Sequence, residues 1–301
     1  MTILTVLFGN NIKMSQTKQK VVVLGSKGMA GHIMAEVLDA TGEYEVFGAA
    51  RQNGNYVDEI LDVTDANSLK SYLEKVRPSF VINCVGALVS QSKNDVSTAI
   101  LLNSFLPNFL SKVGNELDYK LIHISTDCVF SGKDGQYTED SYRDGDDNYA
   151  RSKTLGEVIN DKDLTIRTSI IGPEIKTDGT GLLDWFLKQE GTISGYTQAY
   201  WSGVTTLELA KATLAFLKQD MTGLYQLCPN DKISKFELLK LFSKIWNKQI
   251  TIEPYENYTV DKSLVCTRTD FQYATPEFEK MLIETKVWMD EHPNLYAHYK
   301  K

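Results

Sequence analysis

Residues 20–24 (KVVVL) are a run of β-branched residues and leucine halted by glycine, the pattern of a strand buried on both faces of a parallel sheet. Beyond it Met29, Ile33, Met34, Val37 and Leu38 recur at helical spacing, so residues 28–39 are expected to form a helix with one apolar face. The alternation then repeats. Strands are expected over 43–49 and 79–83, with a helix over 66–76 between them. Leu102, Phe105, Leu106, Phe109, Leu110 and Val113 mark one face of a long helix, which Pro107 should disturb or bound. Residues 119–125 (YKLIHIS) read as another buried strand, 149–159 as a helix and 164–168 as a strand. Strands alternating with amphipathic helices make βαβ units, so the expected fold is α/β, a Rossmann-type doubly wound parallel sheet.

After residue 172 the pattern loosens into shorter strands and helices, the latter near 181–189, 206–219 and 235–247. The expected organisation is a leader over 1–19, the doubly wound domain over 20–171, and a smaller C-terminal α/β part over 172–301, some of whose elements interleave with the first domain. The leader has an apolar patch only over 3–8 before Gly9-Asn10-Asn11. That is too short for a membrane span and lacks a basic flank or cleavage site. It reads as disordered, with Met14 an alternative start.

Composition narrows the class further. At 301 residues, 42% hydrophobic and 24% charged, the chain has ordinary globular usage. With 32 basic against 39 acidic residues its net charge of −7 argues against a nucleic acid polymer as partner. No segment approaches the roughly 18 apolar residues of a membrane helix. Cys84, Cys128, Cys228 and Cys266 are scattered, and the four histidines show no ligand spacing. This fits a reduced, cytoplasmic protein without a metal site built from its own side chains. The acidic stretch 139–147 (EDSYRDGDD) reads as a solvated loop.

Three groups of residues carry chemistry. Gly25-Ser26-Lys27-Gly28-Met29-Ala30-Gly31 joins the first strand to its helix. One glycine allows a tight turn at positive φ, the next a close approach of pyrophosphate to backbone N–H groups, and the third close helix–strand packing. The helix N-terminus adds partial positive charge. The second strand ends at Arg51 with no acid, and Lys27 lies nearby; cations there suit the 2′-phosphate of NADPH better than the free ribose of NADH. The alternative is that Arg51 is a solvated loop charge. Tyr149-Ala150-Arg151-Ser152-Lys153 places a phenol and an amine at i and i+4, one helical turn apart, where the cation would favour the phenolate. That spacing alone recurs by chance on surface helices. Thr126, at the end of the preceding strand, supplies a hydroxyl for the same substrate oxygen.

Together with Asp62-Val63, Asn83-Cys84-Val85-Gly86 and Arg167-Thr168-Ser169, these motifs resemble the extended short-chain dehydrogenases/reductases. Within these, residues 125–132 (STDCVFSG) are similar to the S-T-D-Y-V-F-D-G stretch of dTDP-4-dehydrorhamnose reductases. The resemblance covers residues 20–171 well and the rest loosely. It implies NADPH-dependent reduction of a nucleotide-linked 4-keto-6-deoxy sugar, with a C-terminal substrate-binding part and Thr126, Tyr149 and Lys153 as the catalytic group. Asp62 and Val63 would touch the adenine, and Val85, Gly86 and Ala87 would line the ribose and nicotinamide side. Asn103 matches a family asparagine, either on the cofactor or merely packing. Trp201 and Arg268 would contact the sugar nucleotide. Relatives also suggest a homodimer.

Two departures concern sugar specificity. Cys128 replaces the usual tyrosine, and Cys84-Val85-Gly86 a run of small alanines. The substrate is therefore expected to be a dTDP-linked ketosugar or a UDP-linked 2-acetamido-2,6-dideoxy-hexos-4-ulose. A dehydratase would need an acid–base pair after Thr126, whereas Asp127 is followed by Cys128. An epimerase with tightly held NAD fits the fold, but the lack of an acid at Arg51 opposes it. A non-catalytic NADP-binding subunit, similar to the β subunit of methionine adenosyltransferase, is the other alternative. His123 reads as a core histidine, and Asp127 as orienting its loop. Tyr196, Tyr200 and Trp201 either stack on ligand or form the smaller part's core.

Overall fold

The computed structural model describes residues 18–299, so nearly all of the expected leader lies outside the described residues. The strands are β1 (Gln19–Leu24), β2 (Tyr44–Ala50), β3 (Glu59–Ile60), β4 (Phe80–Asn83), β5 (Lys120–Thr126), β6 (Leu164–Thr168), β7 (Ile170–Ile171), β8 (Thr192–Trp201), β9 (Val204–Thr205), β10 (Gly223–Gln226), β11 (Ile233–Ser234) and β12 (Thr251–Asp261). The helices are α1 (Gly31–Ala40), α2 (Ala66–Val76), α3 (Val89–Asn94), α4 (Val96–Ala99), α5 (Leu106–Leu117), α6 (Asn148–Leu155), α7 (Leu182–Lys188), α8 (Thr206–Lys218), α9 (Lys235–Ile245) and α10 (Phe278–Glu291).

Seven strands form one sheet in the order β10-β6-β5-β4-β1-β2-β3, and every pairing in it is parallel. Val21 to Leu24 are fully buried because helices cover both faces of the sheet. Val21 and Val23 face a core shared with Ile33, Met34 and Leu38 of α1 and with Leu209 and Phe216 of α8; Val22 and Leu24 face Leu69 and Leu73 of α2 and Leu110 of α5. The order reverses between β1 and β4, so the loops after these strands diverge and open a crevice at their carboxyl ends.

A second layer holds β11-β8-β12, with a core of Phe186, Trp201, Leu238, Phe242 and Leu282. The chain after residue 172 does not stay within that layer: β10 forms the edge of the large sheet, paired in parallel with β6. Ahead of α5 lies a π-helical segment, Ile100–Phe105, and Pro107 falls in the first turn of α5, where its missing N–H is least harmful. The acidic stretch is less solvated than its composition implies. Glu139 accepts from Thr267 and Gln226, Asp144 from the Ser131 N–H at 2.8 Å, and Asp147 caps α6 through the Ala150 N–H at 2.7 Å.

Candidate functional site

The glycine loop divides its work by position. Gly25 has φ +79°, which only glycine adopts without strain. A Cβ on Gly31 would lie 2.1 Å from the Gly25 carbonyl oxygen, so the third glycine is what lets α1 start against the strand end. Gly25, Lys27 and Gly28 line a cleft of about 570 Å³ with Arg51, Asp62 and Val63. Val85 and Gly86 form another wall. Lys27 reaches across the cleft to the Asn53 carbonyl at 3.0 Å, and Arg51 is exposed. The Asp62 carboxyl is held below its usual range by the backbone N–H and hydroxyl of Thr64, with help from Arg51 against the effect of burial. Lys176, which nothing in the sequence pattern singled out, adds a third cation to the lining. A crevice of this size, lined by the glycine loop ahead of α1 and rimmed by cations, fits a dinucleotide carrying several phosphates.

Other residues expected at the cofactor face elsewhere. Ser26 is fully buried and turned toward β2, where a Cβ on Gly48 would come within 2.8 Å of its hydroxyl. Ala30 and Ala87 are buried, and Met29 lies against Gly181. Asn103 is also fully buried. Its amide accepts from the Ala87 N–H at 2.8 Å and donates to the Ala87 carbonyl and the Ser152 hydroxyl at 3.1 and 3.0 Å. These three bonds tie the loop after β4 to α6.

Tyr149 and Lys153 share one face of α6, and Lys153 is buried. The lysine amine donates to the Ile124 carbonyl at 2.8 Å and lies 3.5 Å from Nε2 of His123. Burial lowers its pKa to about 8, against the pull of Glu157 and Cys84. The phenol of Tyr149 is raised above its ordinary value, first by burial and then by Cys128, Asp127 and Asp147; the Thr126 hydroxyl, within reach of it, lowers it. Lys153 was expected to favour the phenolate. Turned toward the strand backbone instead, it leaves the phenol firmly protonated, the state of a proton donor.

Thr126, Tyr149 and Lys153 themselves line neither of two cavities that their neighbours border. Cys84, beside Lys153, lines the glycine-loop cleft, while Asp127 and Cys128, beside Tyr149, line a second cavity of about 680 Å³. Trp201, Tyr196, Tyr200 and Tyr258 wall the second cavity, and Lys235 and Lys262 supply its positive charge. The Lys235 ammonium lies 5.2 Å from the Trp201 ring centre, and burial lowers it to about 8 despite Asp127. Burial raises the Asp127 carboxyl against both lysines. Trp201 borders this cavity but is only 4% exposed, its ring packed on Phe278 in the core of the second layer. Arg268 does not border it: it donates to the Thr222 and Leu224 carbonyls at 2.8 and 3.0 Å and to Asp270 at 2.7 Å, at the start of β10 and the opposite end of the sheet. The unpaired carbonyls and carboxylate there satisfy the guanidinium locally.

Behind Thr126 sits a charged cluster that the sequence reading missed. Glu157 is buried, yet two Arg167 hydrogen bonds, at 2.8 and 2.7 Å, hold it below its usual range with help from Arg143 and the Ser125 hydroxyl. The cluster fixes the end of β5, from which Thr126 projects. Among the described residues no group of three His, Cys, Asp or Glu side chains is placed to hold a metal ion, and no helix is long and apolar enough to cross a membrane.

Residues 19–264 match the family model described as the RmlD substrate binding domain. The chain belongs to that family. A dTDP-4-dehydrorhamnose reductase of Aggregatibacter actinomycetemcomitans is 28% identical over 156 residues, covering 50% of this chain and 51% of its own. The spore coat polysaccharide biosynthesis protein SpsK of Bacillus subtilis is 31% identical over 156 residues, covering 50% and 52%. The chain thus spans about half the length of these curated RmlD-family relatives. Among solved structures, the dTDP-4-dehydrorhamnose reductase of Bacillus anthracis in complex with NADP superposes with a TM-score of 0.78 over 90% of this chain and 100% of its own, at 19% identity. A hypothetical dTDP-4-dehydrorhamnose reductase of Sulfolobus tokodaii gives 0.72 over 82% and 92%, at 25% identity.

Proposed function

We propose that this RmlD-family chain is an NADPH-dependent reductase of nucleotide-linked 4-keto-6-deoxy sugars, acting in deoxysugar nucleotide biosynthesis. The observation that carries the reading is that Cys84, beside Lys153, lines a cation-rimmed cleft while Asp127 and Cys128, beside Tyr149, line an aromatic, lysine-bearing cavity. NADPH bound in the cleft would supply the hydride for the keto carbon. The half-buried Tyr149 gives its phenolic proton to the developing alkoxide as general acid, and the Thr126 hydroxyl hydrogen-bonds the same oxygen. Lys153 contributes a charge that a modest change of surroundings removes. Trp201 offers the sugar an apolar face, while Lys235 and Lys262 face the anionic diphosphate of a dTDP- or UDP-linked substrate. The relatives named as dTDP-4-dehydrorhamnose reductases, one of them crystallised with NADP, support both substrate class and cofactor. All four cysteines are free, which suits a reducing cytoplasm. We place a homodimer contact on the outer faces of α6, the chain just after it and the π-helical segment, where Leu155, Ile159, Ile100 and Phe105 are exposed.

Following NADPH absorbance on addition of dTDP- and UDP-linked 4-ketosugars tests the reading. Tyr149→Phe should lower kcat by about 10²–10⁴, the range for loss of a general acid. A variant with undiminished turnover removes Tyr149 from the role. Cofactor binding without turnover on any ketosugar, with a larger enzyme co-purifying, would instead establish the regulatory subunit.

A further inference from the structure

The side chain of His123 points from β5 toward α6, and its two ring nitrogens have fixed neighbours. Nδ1 lies 3.2 Å from the Asn83 amide nitrogen, and Nε2 lies 3.5 Å from the Lys153 amine. The Asn83 amide has no freedom to flip, because its oxygen already accepts the Val85 N–H at 3.1 Å. Its NH₂ group must therefore donate to Nδ1. A ring accepting at Nδ1 carries its proton on Nε2, so a neutral His123 presents an N–H to Lys153. Asn83 and His123 are both fully buried.

An N–H aimed at an amine stabilises the uncharged amine, which accepts it, and disfavours the ammonium, which has only donors. Lys153 keeps its other polar bond, to the Ile124 carbonyl, in either state. We infer that Asn83 and His123 are positioning residues that fix the proton count of Lys153, by locking the imidazole in the tautomer whose Nε2–H faces the amine. The inference rests on the catalytic reading of Lys153 for its consequence, but its geometry does not depend on that reading.

The surroundings agree. Burial drives His123 well below its usual range, so the ring is neutral, and Lys153 is lowered as well. The other groups acting on Lys153 are few. Glu157, just beyond α6, raises it, and the Cys84 thiol at the end of β4 is itself pushed up to about 12 and stays neutral. Tyr149 lies one turn back on α6, Asp127 and Cys128 follow β5 beside that phenol, and the π-helical segment packed on α6 presents the neutral Asn103.

Two substitutions separate the tautomer from simple packing. Asn83→Asp retains an oxygen for Val85 but offers a carboxylate to Nδ1, which would draw the ring proton there and leave Nε2 as an acceptor for the ammonium. His123→Gln puts a carboxamide near the same place, with an oxygen able to accept from Lys153. The experiment is ¹⁵N NMR of the full chain labelled in histidine, the His123 signals being those lost in His123→Gln, together with a pH titration of the lysine ¹³Cε signals and the pH profile of kcat. In the wild type Nδ1 should be unprotonated and Nε2 protonated, and Asn83→Asp should reverse this. The Lys153 titration midpoint should rise by about one pH unit in both variants, the effect of exchanging one hydrogen bond. The alkaline limb of kcat should move with it. Protonation of Nδ1 in the wild type, or an unmoved Lys153 midpoint in a folded variant, overturns the inference even if the protein is a reductase. The expected tautomer and midpoints in a protein that turns over no ketosugar would uphold it and remove only the catalytic reading.

Discussion

Arg51, Lys27 and Lys176 together place three cations on the rim of a single cleft. Lys27 is partly engaged, donating to the Asn53 carbonyl, and Lys176 belongs to a different loop, beyond β7. Arg51 is exposed at the end of β2, where a ribose 2′ substituent would lie, and its field already helps hold Asp62 ionised. Removing it should weaken a 2′-phosphate contact and leave a 2′-hydroxyl nearly untouched. Arg51→Ala is expected to raise KM for NADPH roughly tenfold, about 1.4 kcal/mol, with little change for NADH. Steady-state kinetics with both cofactors check this, and equal effects would return Arg51 to the solvated-charge alternative. The same residue shows what local sequence conveys. Its place at a strand end was readable from spacing, whereas Lys176 enters only through a loop that folds back over the cleft. Arg268 misled for the converse reason: a cation beside two backbone carbonyls and Asp270 is satisfied where it stands.

At the scale of elements, α6 is short for the work it carries. It ends at Leu155 rather than continuing to 159, with Gly156 as its C-cap packed so closely on the π-helical segment that a Cβ there would sit 1.8 Å from the Asn103 carbonyl oxygen. That contact belongs to the tertiary fold, which is why periodicity overran the helix while placing residues 66–76 and 164–168 correctly. Long, evenly buried strands announce themselves through β-branched runs, and α2 through its apolar stripe. The π-helical segment and the Asn103 tie depend on which loops meet, and no window of sequence holds that. At its start α6 relies on Asp147, whose carboxylate accepts the Ala150 N–H and complements the helix dipole. Asp147→Ala should cost about 1 kcal/mol, the usual worth of an N-cap, and lower Tm by roughly 2–4 °C. Because Tyr149 lies in that first turn, kcat should fall with it while the cofactor Kd holds. Thermal unfolding and fluorescence titration measure the two, and an unchanged Tm would show that the helix start is held by packing alone.

At the scale of the whole molecule, the described residues leave one apolar face uncovered. Leu155 is 69% exposed, with Ile159, Ile100 and Phe105 about half exposed, on segments in contact with one another: α6 packs on the π-helical segment, which runs on into α5, and Phe105 stacks on Phe109. Single exposed apolar residues need no explanation, but three on adjoining helical segments and a fourth just after α6 make a patch of the kind that subunits bury. A twofold contact would present the patch to itself and satisfy it without leaving an open end. It would also press the outer side of α6, whose inner side carries Tyr149 and Lys153, so that association steadies the catalytic helix. The wild type should therefore sediment as a dimer at micromolar concentration, with a Tm that rises with concentration, since association stabilises only the folded chain. Leu155→Glu and Phe105→Glu place charges at the centre of the contact and should give monomers with lower, concentration-independent Tm. Sedimentation velocity and thermal scans across a hundredfold concentration range decide the matter, and a wild type that stays monomeric throughout would remove the contact and its proposed effect on α6 together.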